Sequence, residues 1–145
     1  TQQPGRPVNM QSFPARETDL HQIVDHVERA ASALALPRDF VLRLCLVVEE
    51  LFVNTARYAR GASASVGLVS DAAGVWLESS DTGPAYDPFE ALAREALSRA
   101  LEQRPVGGLG RILVHDLSTS ARYERVDERN VLRLRFEFAA ATRTS

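Results

Sequence analysis

The chain has 145 residues, 45% of them hydrophobic and 25% charged, with a net charge of −2. That is one domain of ordinary size, able to bury roughly 70% of its unfolded surface without a staple, and its single cysteine, Cys45, excludes a disulfide framework and a Cys-based zinc site. There is no basic footprint for nucleic acid, no apolar run near the roughly 18 residues of a membrane span and no visible signal peptide, so the expectation is a soluble, cytoplasmic, single-domain protein.

All 17 cationic residues are Arg. Without Lys there can be no phosphate-loop motif and no strand Lys of the common protein-kinase type. The deficit itself reads as composition, since the chain is also rich in Ala.

Residues Thr1 to Pro7 form a loose lead-in, and Val8 to Pro14 is expected as a short edge strand. Apolar residues at helical spacing predict a helix over Thr18 to Leu36. Pro37 ends it, and a second helix follows over about Asp39 to Ala59, with Gly61 as its stop signal. Strands over Ser65 to Val69 and Val75 to Ser80 flank the turn Asp71-Ala72-Ala73-Gly74. Asp87-Pro88-Phe89-Glu90 reads as a capped helix start, and that helix runs to about Glu102. A glycine-rich loop, Pro105 to Gly110, precedes a short helix over Arg111 to Leu117. Two final strands, Ala121 to Val126 and Val131 to Phe138, flank Asp127-Glu128-Arg129-Asn130. The last strand alternates, with Leu132, Leu134, Phe136 and Phe138 on one side and Arg133, Arg135 and Glu137 on the other. One wet face implies a mostly antiparallel sheet covered on one side, and the element order favours a two-layer α+β sandwich. The domain is drawn at 18–139, after a lead-in over 1–17 and before a tail over 140–145.

Three segments carry candidate chemistry. The second helix is apolar almost all round, which predicts a central, buried helix. Arg43, Glu50, Asn54 and Arg57 fall within roughly 60° of one another on it. Burying them is costly unless they are paired. Glu50 either pairs with Arg57 or Arg43, or stands with Asn54 in a water-filled pocket as a base beside a hard-cation ligand. Asp81-Thr82-Gly83-Pro84-Ala85-Tyr86-Asp87-Pro88 follows a strand. It is either a plain strand-to-helix turn or a site where Asp81 accepts a hydrogen bond from an adenine amino group, with Gly83 letting the backbone approach the base. Gly107-Gly108-Leu109-Gly110 precedes a helix and is either a turn or an anion site.

In that order and spacing the three segments resemble the GHKL ATPase superfamily. Glu50 to Ala59 resembles its N box, Asp81 to Pro88 its first glycine box, and Val106 to Val114 its second. The branch most like this chain is the short bacterial anti-sigma-factor serine kinases, whose closing hairpin resembles Tyr123-Glu124-Arg125 and Asn130-Val131-Leu132. The resemblance implies a Bergerat-type ATP-binding fold, a mixed sheet with helices on one face. It implies Glu50 as general base, Asn54 as Mg²⁺ ligand, Asp81 with Gly83 at the adenine, and Gly107, Gly108, Leu109 and Gly110 at the phosphates of ATP. Phe89 to Val106 becomes a lid, in which Arg104 is the candidate phosphate contact and Arg94 and Arg99 are weaker ones. The implied activity is phosphorylation of a serine on an anti-sigma-factor antagonist, alternating with sequestration of a sigma factor, in a homodimer that binds neither nucleic acid nor membrane. The alternative is a nucleotide-binding module that switches partners without phosphotransfer, or the kinase-like domain of a larger regulator. Two departures bear on the choice. Tyr58 stands where the N box usually has His, and Arg111 where an apolar residue is common. A threonine that the family places near adenine has only Asn130 as a weak counterpart. His21, His26 and His115 read as structural or surface residues.

Overall fold

A computed structural model of the chain describes residues 7–87, 90 and 120–138. Helix α1 spans Leu20–Ala33 and enters through a 3-10 turn, Glu17–Asp19. The Arg16 guanidinium donates to the Asp19 carboxylate at 2.8 Å in that turn. Ile23, Val27, Ala30 and Ala31 recur at helical spacing and are the buried face. The helix ends earlier than expected because Ala35 turns left-handed, at φ 57°. The Leu36 N–H then reaches back to the Ala31 carbonyl at 3.2 Å, a helix-terminating bond of the kind a left-handed residue after the last turn allows. Pro37, in extended conformation, caps helix α2, Arg38–Tyr58. Phe40, Val41, Leu44, Val47, Val48, Leu51, Phe52 and Thr55 are its buried face.

Five strands form one sheet: β1 Gln11–Pro14, β2 Ser63–Ser70, β3 Gly74–Asp81, β4 Ser120–Val126 and β5 Arg129–Glu137. Their order is β1-β2-β3-β5-β4. The expected edge strand thus forms, and it is an integral part of the sheet. The two-layer α+β architecture is realised, with both helices on one face. The pairings among the described strands are all antiparallel, rather than mixed. The reason is topological: two hairpins supply four strands, and the connection after β3 returns the chain at the far edge, so β5 descends beside β3.

Alternation sorts the two faces. Val66, Leu68, Val75, Leu77, Leu132, Leu134 and Phe136 point to the helices and join Phe13 in the core. Ser65, Trp76, Glu78, Ser80, Arg133 and Arg135 lie on the other face. Glu78 is nevertheless 4% exposed, and Arg133 donates to it at 3.1 Å, so the charge is paired as burial requires. Helix α2 departs from the expectation of all-round burial, since Leu42 and Leu46 are 50% and 56% exposed. The sheet and α1 each cover one side of it, and its remaining face meets no described element. His26 is buried as a structural residue, donating from Nε2 to the Asn9 carbonyl at 2.8 Å, whereas His21 is exposed.

The two hairpin turns are built differently. At the first, Asp71 Oδ1 accepts the N–H groups of Ala73 and Gly74 at 2.8 and 3.0 Å. Arg135 grips the same carboxylate with two bonds, at 2.8 and 2.9 Å. These donors hold Asp71 down to about 2, with Arg135 the larger cause. The second turn is tighter than expected. Val126 pairs with Arg129, so only Asp127 and Glu128 turn the chain, both left-handed, at φ 49° and 61°. That geometry matches the sheet twist, and glycine is the residue that adopts it without strain.

Two expectations follow. A carboxyl depressed in the folded state stabilises fully above its ordinary value, and that contribution fades as pH falls from about 4 towards about 2. Asp71→Asn is expected to flatten the stability curve across that window, read by urea denaturation at stepped pH. Glu128→Gly is expected to raise unfolding free energy by about 0.5–1 kcal/mol, since the relieved strain exceeds the added chain entropy; a denaturant midpoint shifted downward would contradict it.

Candidate nucleotide-binding site

Helix geometry places Glu50, Asn54 and Tyr58 on one line, each a turn beyond the last. Glu50 and Asn54 are half-buried. Neither makes a hydrogen bond or ion pair among the described residues, which leaves both side chains to water or to a ligand. The internal pairing that was open for Glu50 does not form with Arg57, which is exposed and reaches Glu17 at 3.9 Å instead. Arg43 lies over the Phe40 ring, 5.8 Å from its centre.

The line ends at Asp81. Its carboxylate is 7% exposed, so donors must stand in for water. Oδ1 accepts the Gly83 N–H at 2.9 Å and the Asn130 Nδ2–H at 2.9 Å. Oδ2 faces the Tyr58 hydroxyl at 3.5 Å, the outer limit of such a bond. Burial, and then the Asp81 charge beside it, push the Tyr58 phenol above its ordinary range, so it stays a protonated donor. The Tyr58 ring packs on Tyr86, with centroids 4.2 Å apart. The aromatic that replaces the usual N-box His thus keeps both a ring contact and a polar tip.

Asn130 is the hub of this corner and is 2% exposed. Its Nδ2 also donates to the Pro84 carbonyl at 2.8 Å. Its Oδ1 accepts the Tyr123 hydroxyl at 2.7 Å, the Tyr86 N–H at 3.1 Å and Arg125 Nη1 at 3.2 Å. Arg125 Nη1 also donates to the Gly83 carbonyl at 2.8 Å. The turn after β3 is therefore fastened to β4 and β5 through one amide. Sequence reasoning placed Asn130 in a four-residue turn and underweighted it. The tighter turn moves it into β5, directly opposite Asp81.

Gly83 has a packing reason for its missing side chain. A Cβ there would lie 2.5 Å from Ala59 Cβ and 3.0 Å from Asp81 Oδ1. The glycine lets the turn close onto the end of α2, and the space it opens faces protein. Asp87 Oδ1 accepts the Glu90 N–H at 3.4 Å, the contact expected of a helix cap. The expected lid with Arg94, Arg99 and Arg104, the loop Gly107, Gly108, Leu109 and Gly110, Arg111 and His115 lie outside the described residues.

A family model for the histidine kinase-like ATPase domain matches residues 13–136. The chain belongs to that family. No curated protein matches the chain significantly. The histidine kinase-like ATPase domain is an ATP-binding, kinase-like module, and the two-layer sandwich described above is consistent with a GHKL-type fold. Among the described residues no helix is long and apolar enough to cross a membrane. No group of three or more His, Cys, Asp or Glu side chains that could hold a metal occurs among them either. A metal at this site would need other oxygen donors, and the unengaged Asn54 amide is suited to a hard cation that keeps waters and phosphates as its remaining ligands.

The packing of Gly83 gives a direct test. Gly83→Ala is expected to destabilise the ATPase domain by about 1–3 kcal/mol through overpacking, and Ala59→Gly in the same chain is expected to restore part of the loss in thermal or urea unfolding.

Proposed function

We propose that this ATPase domain is an anti-sigma regulatory factor that binds Mg-ATP and phosphorylates a serine of an anti-sigma-factor antagonist, sequestering a sigma factor in alternation. The observation that carries the reading is the line Glu50, Asn54, Tyr58 ending on Asp81. About 12 Å of helix separates its two ends, a span on the scale of a nucleotide. A base-recognising carboxylate at one end and an unpaired carboxylate at the other suit a nucleoside triphosphate lying along the helix.

In this reading Asp81 accepts the adenine amino group, with Gly83 shaping the turn. Gly107, Gly108, Leu109 and Gly110 offer backbone donors to the phosphates, and Arg104 adds a guanidinium suited to phosphate oxygens. The Asn54 amide oxygen would hold Mg²⁺, which supplies charge compensation for the phosphates when bound. Glu50 takes the proton of the attacking serine hydroxyl as the bond from its oxygen to the γ-phosphorus forms and the bond to the ADP oxygen breaks. The protein acts in the cytoplasm as a homodimer, without nucleic acid or membrane. Support comes from the order and spacing of the three motifs and from the family match.

A second reading is a nucleotide-binding module that exchanges partners without phosphotransfer, or the kinase-like domain of a larger regulator. Tyr58 favours it, because the residue in the usual histidine place is turned to Asp81. One experiment separates the two. With labelled ATP and the cognate antagonist, Glu50→Ala is expected to retain ATP binding and to lose phosphotransfer by about 10²–10⁴-fold. Equal rates in variant and parent refute the base role, and no label on any serine with the parent protein supports the partner switch.

A further inference from the structure

The two oxygens of Asp81 are not equivalent. Oδ1 carries two donors at full strength, the Gly83 N–H and the Asn130 amide, each at 2.9 Å. Oδ2 meets only the Tyr58 hydroxyl among the described residues, at 3.5 Å. Asn130 shares in imposing the asymmetry with the Gly83 N–H, and its amide cannot turn over. Three donors, from Tyr123, Tyr86 and Arg125, converge on its Oδ1. Turned the other way, the amide would set N–H groups against those donors and an oxygen against the Asp81 carboxylate. At 2% exposure no water could repair the mismatch.

We propose that Asn130 is a positioning residue that sets nucleobase specificity. It locks Asp81 so that Oδ2 alone is presented, as an acceptor, to the exocyclic amino group of the base. The inference rests on the nucleotide reading given above and adds the residue that makes its base recognition selective. A base bearing an amino group at that place gains a hydrogen bond to a charged acceptor. One lacking it leaves Oδ2 with the long tyrosine contact alone. Without Asn130 the carboxylate is held by the Gly83 N–H alone, and Oδ1 regains acceptor capacity for the Tyr58 hydroxyl.

Calorimetry with ATP and with purine riboside triphosphate, which lacks only the 6-amino group, tests this. The parent protein is expected to prefer ATP by about tenfold or more, as a hydrogen bond to a charged group predicts. Asn130→Ala is expected to shrink that preference to under about threefold, chiefly through weaker ATP binding, with the deaminated nucleotide little affected. Tyr123→Phe removes the 2.7 Å bond that orients the amide and is expected to move the ratio in the same direction. It serves as the test if Asn130→Ala does not fold. An equal loss for both nucleotides, or an ATP preference that survives both substitutions, overturns the proposal while leaving nucleotide binding intact. A parent protein that binds neither nucleotide, or both alike, overturns the base-recognition reading itself and this inference with it.

Discussion

Asp81 is a carboxylate taken out of water at the end of an inner strand, and the architecture of this corner follows from keeping it satisfied. An ion with so little solvent is tolerated only when fixed donors replace the hydration shell. The Gly83 N–H supplies one donor and so dictates the tight turn after β3. Asn130 supplies another and so dictates that β5 lies beside β3 in a single register. Tyr58 brings the end of α2 to the same group. One charge thus ties together the helix layer, the central strands and the closing hairpin.

The satisfied carboxylate contrasts with the unsatisfied edge of α2. Glu50 and Asn54 are half-buried and make no bonds among the described residues, whereas the fully buried side-chain polar atoms of the described residues are all partnered. The fold completes its hydrogen bonding at Asn130, Glu78 and His26 and leaves the Glu50 carboxylate and the Asn54 amide to solvent along one line of α2. The proposed proton and metal chemistry is assigned to that line. Asp81 is held rigidly at the end of β3, beside the last residue of α2, whereas Glu50 and Asn54 lie further back along the same helix.

The second hairpin is held in a strained turn, and the strain has a structural return. The two-residue turn lets β5 begin at Arg129, so Asn130 lies within the strand, on its inner face and opposite Asp81. Non-glycine residues at Asp127 and Glu128 are therefore a local cost set against the fastening of the Asp81 corner.

Much of this was legible in the chain. Helical spacing in α1, alternation in β5 and the breakers Pro37 and Gly61 are local periodic signals, and they located the helices, the strands and the covered face of the sheet. Glu50, Asn54 and Asp81 stood out because polar groups in apolar or strand-ending contexts are conspicuous in one dimension. What only the tertiary structure decided was the partnership between them. Asn130 and Asp81 lie 49 positions apart, and their pairing depends on a turn shorter by two residues than the one expected. The contact of Gly83 with Ala59, the stacking of Tyr58 on Tyr86 and the exposed side of α2 depend likewise on how layers meet. Periodicity reports which way a side chain points along its own element, and carries no term for the neighbour it meets across the fold.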